Sequence, residues 1–143
     1  MKDYTEITES SKQIHAQKFN CAQSVLCALS CCTGMDDATA KAISSGFGGG
    51  LRSGEVCGAV SGAVMAIGLA TARDGAGSKD APISDRTRKL LADFSDRFGA
   101  VRCDRLIEAE GGQERCGEFI SYCAQLAAAS IDEYKSANDD NDR

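Results

Sequence analysis

Eight cysteines in 143 residues are the chemistry-bearing feature of this chain: Cys21, Cys27, Cys31, Cys32, Cys57, Cys103, Cys116 and Cys123. Thiols at this density build a disulfide framework in an oxidising compartment, or metal and redox chemistry in a reducing one. The opening stretch MKDYTEITESSKQIHAQ is polar and lacks the apolar core of a secretory signal. The expectation is therefore a cytoplasmic protein and metal or redox chemistry. No Cys-x-x-Cys pair occurs, which removes the thioredoxin-type dithiol and the usual zinc-ribbon spacing. A shared site must then be assembled by the fold, one cysteine per segment.

The elements that would do this are organised around residues 46–72, GFGGGLRSGEVCGAVSGAVMAIGLATA, a glycine loop running into a helix with Cys57 in its opening turn. Counting by four from Gly54 gives Gly58, Gly62, Ala66 and Ala70. Residues four apart share a helix face, so this face is nearly bare of side chains and lets another backbone approach closely. As a phosphate loop the stretch fails, because it has no GK[ST] and no preceding strand. The chain offers no convincing strand anywhere.

The other segments read as helices. Residues 4–18 form a first one with Tyr4, Ile7 and Ile14 on one side, and His15, the one histidine, reads as an ordinary surface or half-buried residue. Asn20 is a natural N-cap for NCAQSVLCALSCC. There Ala22, Val25, Leu26 and Leu29 make an apolar arc, with Cys27 and Cys31 pointing away from it. Gly34 ends that helix, and Asp36 or Asp37 caps a short third one closed by Gly46. After the flexible connection 74–82, capped by Ser84 or Asp85, Ile83, Thr87, Leu90, Leu91, Phe94, Phe98 and Val101 repeat at helical spacing. A last helix from about Gln113 to Lys135 buries Cys116, Phe119, Ile120, Cys123, Leu126, Ala127, Ile131 and Tyr134. The fold expected is all-α: one domain over 1–135, a bundle of about five to six helices around the Gly/Ala-rich one, with 136–143 as an acidic flexible tail.

Within this frame Cys21, Cys57 and Cys116 fall in first turns of helices, and Cys103 follows the end of one. Helix N-termini offer free N–H groups and partial positive charge, which lower thiol pKa values. Cys27, Cys31, Cys32 and Cys123 read instead as small hydrophobes. Totals exclude other classes. Lys+Arg 16 against Asp+Glu 21 gives net charge −5, without the basic cluster that nucleic acid needs. The longest uncharged run, Val56 to Ala72, is short for a membrane span, so no insertion is expected.

Residues 20–26 (NCAQSVL), 45–69 (SGFGGGLRSGEVCGAVSGAVMAIGL), 94–106 (FSDRFGAVRCDRL) and 116–120 (CGEFI) together resemble the C-GCAxxG-C-C family. The resemblance covers most of the chain and implies an all-helical domain with a proposed redox role. It carries the four family cysteines onto Cys21, Cys57, Cys103 and Cys116. Two departures are visible: Gly117 stands where proline is expected, and the connection from Cys103 to Cys116 is short. Either Cys116 or Cys123 could therefore complete the set. A similar domain accompanies an iron–sulfur centre in split-Soret cytochromes, but no Cys-x-x-Cys-His occurs here and no haem is expected.

The first expectation is that Cys21, Cys57, Cys103 and Cys116 ligate an iron–sulfur cluster for electron transfer to a partner protein that the sequence does not name. The second is a thiol–disulfide oxidoreductase or sensor with Cys57 as the low-pKa nucleophile. The third is a closed four-thiolate zinc module. The smooth glycine face would also suit packing between two copies, as a homodimer.

Overall fold

The computed structural model describes residues 3–109 and 111–141. Among the described residues the chain forms eight α-helices and no strand: α1 (Thr5–Ala16), α2 (Cys21–Ala28), α3 (Ser30–Thr33), α4 (Asp37–Ser44), α5 (Gly58–Thr71), α6 (Pro82–Phe98), α7 (Cys103–Glu108) and α8 (Cys116–Asn141). The all-α reading holds. The helix count rises for two reasons. NCAQSVLCALSCC breaks at Leu29, whose ψ of 10° opens the turn before α3, and the segment after Gly99 winds a short α7.

Helix α5 has no charged side chain, so it is driven inside on most of its circumference. It packs most extensively against α2 and α8, while α1 crosses α2 and α8, and α6 lies on α5 and α8. Gly58, Gly62 and Ala66 are fully buried. At Gly62 an added Cβ would sit 2.7 Å from the Ala22 carbonyl oxygen, so α2 rests directly on the glycine backbone. The smooth face is taken up inside the chain. Gly54, the first residue of the count by four, lies outside α5 in the loop before it.

Large side chains fill the seam between α6 and α8. Phe94 and Phe119 are buried at 0% and 2% exposure, and with Phe98 and Tyr122 they make edge-on and tilted ring contacts at 4.8–5.8 Å between centroids. The expected apolar stripe of α6 thus forms, though Ala81 caps that helix with Pro82 at its first position, in place of Ser84 or Asp85. Gly99, left-handed at φ +86°, stops α6 and leaves Val101 beyond it. Helix α8 runs past Lys135 to Asn141, so residues 136–141 continue the helix where a tail was expected; 142 and 143 lie outside the described residues. No helix is long and apolar enough to cross a membrane among the described residues.

Candidate functional site

Cys21, Cys57, Cys103 and Cys116 line one cleft of about 310 Å³. Each stands at the start of a helix: Cys21, Cys103 and Cys116 are the first residues of α2, α7 and α8, and Cys57 caps α5. The fold brings together all four residues expected from the sequence. Three local devices do this.

The first fixes Cys21. Asn20 and Gln23 form a reciprocal capping box: the Gln23 amide donates to Asn20 Oδ1 at 2.9 Å and the Asn20 amide donates to Gln23 Oε1 at 3.0 Å. Their remaining side-chain amides reach outward, Asn20 Nδ2 to the Ser45 carbonyl and Gln23 Nε2 to the Lys41 carbonyl, both at 2.9 Å. Two of the four hydrogen bonds close the start of α2 on itself, and the other two pin it to α4 and the turn after it. Asn20→Ala removes two of them, and the expected cost is about 1 kcal/mol, read as a lower urea midpoint at unchanged slope; an unmoved midpoint would show that the cap carries nothing.

The second joins Cys57 to Cys103. Val56 and Arg102 pair as an isolated antiparallel bridge. The Cys57 amide donates to the Val101 carbonyl at 2.8 Å and the Cys103 amide to the Glu55 carbonyl at 2.6 Å. Outside the bridge, the Arg102 guanidinium pairs with Glu55 and Asp104, each at 2.9 Å. Two cysteines 46 positions apart in sequence are thereby held by backbone.

The third is the glycine loop. Gly49, Gly50, Leu51 and Arg52 run consecutively through the left-handed region, at φ +60°, +61°, +59° and +57°. Glycine takes this conformation freely, whereas Leu51 and Arg52 each sit there against a penalty of about 1–2 kcal/mol. The turn delivers the Gly49 N–H to the Cys21 sulfur and puts Arg52 on the rim of the cleft.

Electrostatics follow from these contacts. Contact with the Cys57 thiol lowers Cys21 to about 6 against its burial, helped by the backbone N–H groups of Gly49, Ala22 and Cys21 itself. Cys57, 4% exposed, is driven the opposite way, first by the same contact and then by burial. The sequence expected Cys57 to be the low-pKa thiol. The contact between the two thiols, first among the causes for each, instead favours the charge on Cys21 and the proton on Cys57. Burial raises Cys103 and Cys116, and next in weight is the field of Cys21.

Cys123, 0% exposed, lies two turns after Cys116 on the same face of α8 and is raised by burial, then by Cys21. It sits in the core beneath the cleft, and Cys116 is the one that lines it. Cys27 is buried, at 4%, since α4 packs over the side of α2 expected to face outward and sets Asp37 beside it. Cys31 is exposed, so it does not pack as a hydrophobe.

Two residues of the cleft had no signal in the sequence. The half-buried His15 contributes to the wall, and its Nδ1 lies 3.0 Å from the Phe19 carbonyl, which can only accept. Nδ1 therefore carries a proton, and in the neutral ring Nε2 keeps its lone pair. Arg52 is the other. It brings a positive charge to the lining, to which no carboxylate contributes among the described residues.

No curated protein and no solved structure matches the chain. A family model described as "Putative redox-active protein (C_GCAxxG_C_C)" matches residues 19–130, a span that runs from just before the Asn20 cap into α8 and includes all four cleft cysteines. The chain belongs to the C_GCAxxG_C_C family.

Proposed function

We propose that the cleft is a thiol–disulfide redox centre in which Cys21 is the attacking thiolate and Cys57 the resolving thiol. One observation carries this reading: Cys21 and Cys57 line one cleft at the starts of α2 and α5, where their mutual contact lowers the Cys21 thiol and raises that of Cys57. In the reaction, the Cys21 thiolate attacks a substrate disulfide R–S–S–R, forming a mixed disulfide and releasing R–S⁻. The Cys57 sulfur, giving up its proton to the departing thiolate, then attacks Cys21 and expels the second R–S⁻. The substrate disulfide is reduced to two thiols and the dithiol is oxidised to Cys21–S–S–Cys57. Cys103 and Cys116 border the pocket in which the substrate sulfur would sit.

The pH dependence has a definite sign. The thiolate is the nucleophile, and a thiol lowered to about 6 is already ionised at neutral pH. Alkylation of one cysteine by iodoacetamide should climb through about pH 6 and level off, with peptide mapping placing it on Cys21. A rate that climbs only above pH 8 would overturn the assignment.

A four-thiolate metal centre is the second reading, favoured by Cys103 and Cys116 facing the same cleft and feeling the charge on Cys21. Cys21, Cys57, Cys103 and Cys116 would hold the group. An iron–sulfur cluster there would supply one-electron transfer, and zinc would supply structural closure. It ranks second because no three His, Cys, Asp or Glu side chains are gathered as a metal-holding group among the described residues. Anaerobic purification with an absorption spectrum and assays for iron, zinc and acid-labile sulfide separates the two. Stoichiometric iron and sulfide, or one tightly held zinc, would put the second reading first.

A further inference from the structure

Cys31 and Cys32 stand apart from the cleft. They lie in α3, at the opposite end of the α2–α3 run from Cys21, ten positions or about 15 Å along the helix axis. Their sulfurs are 3.8 Å apart, with Cys31 exposed and Cys32 half-buried against the core. The short helix holding them is fastened at its end. Gly34 closes it left-handed at φ +76°, its amide donating to the Ser30 carbonyl at 2.8 Å, and Arg73 Nη2 donates to the Thr33 carbonyl at 2.9 Å. The pair is thus presented to solvent on a fixed backbone.

Its geometry favours a bridging atom over a direct disulfide. Neighbouring residues have Cα atoms about 3.8 Å apart, below the roughly 4.4–6.8 Å that disulfides ordinarily span. A direct bond would require this helical turn to distort. Two thiolates on one tetrahedral ion, each at about 2.3 Å, lie about 3.8 Å from each other. That is the separation the two sulfurs already have, and pyramidal arsenic(III) takes two sulfurs in a similar way. Thiolates are soft ligands and select soft ions.

We propose that Cys31 and Cys32 form a second, surface dithiol that captures trivalent arsenicals, independently of the cleft. The reaction is a condensation: R–As=O and two S–H groups give R–As(S–)₂ and water. Two As–S bonds form, the arsenical oxygen leaves with both thiol protons, and arsenic stays trivalent. No oxidant or reductant is consumed.

The test uses the reduced full-length chain with phenylarsine oxide in the presence of excess monothiol, and counts bound arsenic by intact mass. Wild type should hold one arsenical on this pair, with fragmentation placing it across Cys31 and Cys32. Cys31→Ser and Cys32→Ser should each hold one fewer than wild type, whatever number the cleft takes. Cys21→Ser should keep the adduct at residues 31 and 32. Because Cys31 is exposed, Cys31→Ser should fold as wild type by circular dichroism, so a loss there reads binding. An unchanged count in Cys31→Ser, or an adduct confined to Cys21 and Cys57, would sink the proposal.

Discussion

Cys21→Ser should abolish the fast acid-side alkylation of this protein, while Cys57→Ser should retain it and accumulate a mixed disulfide. The size of the effect depends on where it is measured. At pH 7 a thiol of pKa about 6 is about 90% ionised, and one left at the ordinary 9.0 about 1%. Nucleophilicity falls with pKa, at a slope of about 0.4–0.5, which takes back roughly twenty-fold over three units. The net advantage at pH 7 is then only about four-fold. At pH 5 the ionised fractions differ by about a thousand-fold and the net advantage becomes about forty-fold. The experiment therefore belongs at pH 5. Cys21→Ser should lower the rate there by about that factor, since Cys103, Cys116 and Cys123 are all raised by burial.

The partner variant behaves differently for a structural reason. Serine at position 57 still offers a hydroxyl, and the N–H groups of Gly49, Ala22 and Cys21 remain aimed at the sulfur. Cys21 should stay below its ordinary value, with its inflection moved upward from about 6. Without a second sulfur, attack on a disulfide stops at the mixed disulfide, which intact mass detects. Should Cys57→Ser lose the acid-side reactivity and Cys21→Ser keep it, Cys57 would be the attacking thiolate and Cys21 the resolving thiol.

The positions of Cys21, Cys57 and Cys103 were legible because each is marked by local chemistry, while the choice between Cys116 and Cys123 was left open. Asn20 announces a helix start, Gly58 and Gly62 announce a close approach, and the break at Gly99 announces a new segment before Cys103. The polarity of the Cys21–Cys57 pair was not legible. It depends on the Gly49 amide arriving through four left-handed residues, two of which, Leu51 and Arg52, have no intrinsic preference for that conformation. His15 shows the same limit. Its place on the rim comes from α1 crossing α2 and α8, a packing relation that no spacing within residues 4–18 records. Cys27 was assigned to the outside of α2 from its own helical wheel, and α4 then covered that side. Local signals located the ends of elements, and tertiary contacts decided what those ends face.

Gly62→Ala should destabilise the protein by about 2 kcal/mol, although alanine is the better helix former by about 1 kcal/mol. The new methyl would lie 2.7 Å from the Ala22 carbonyl oxygen and 3.2 Å from its Cα. Both belong to backbone, so no side-chain rotation relieves the clash, and overpacking of this kind sits at the upper end of the usual 1–3 kcal/mol or above it. The start of α2 is also tied down through Asn20 and Gln23 to Ser45 and Lys41, which resists a simple retreat. Gly68, six residues further along α5, supplies the control. Its added Cβ would meet only Ile83 Cδ1, at 3.8 Å. Gly68→Ala should therefore raise the urea midpoint, by up to about 1 kcal/mol of added stability, while Gly62→Ala lowers it. If both variants gained stability, α2 would not be resting on the α5 backbone. The same displacement has a chemical readout, because Cys21 is the next residue before Ala22. Shifting α2 off Gly62 draws the Cys21 sulfur away from the Gly49 amide, so its inflection should rise from about 6 in Gly62→Ala and stay in place in Gly68→Ala. The bare face of α5 thus acts on the thiol chemistry through backbone position alone, without supplying a functional group to it.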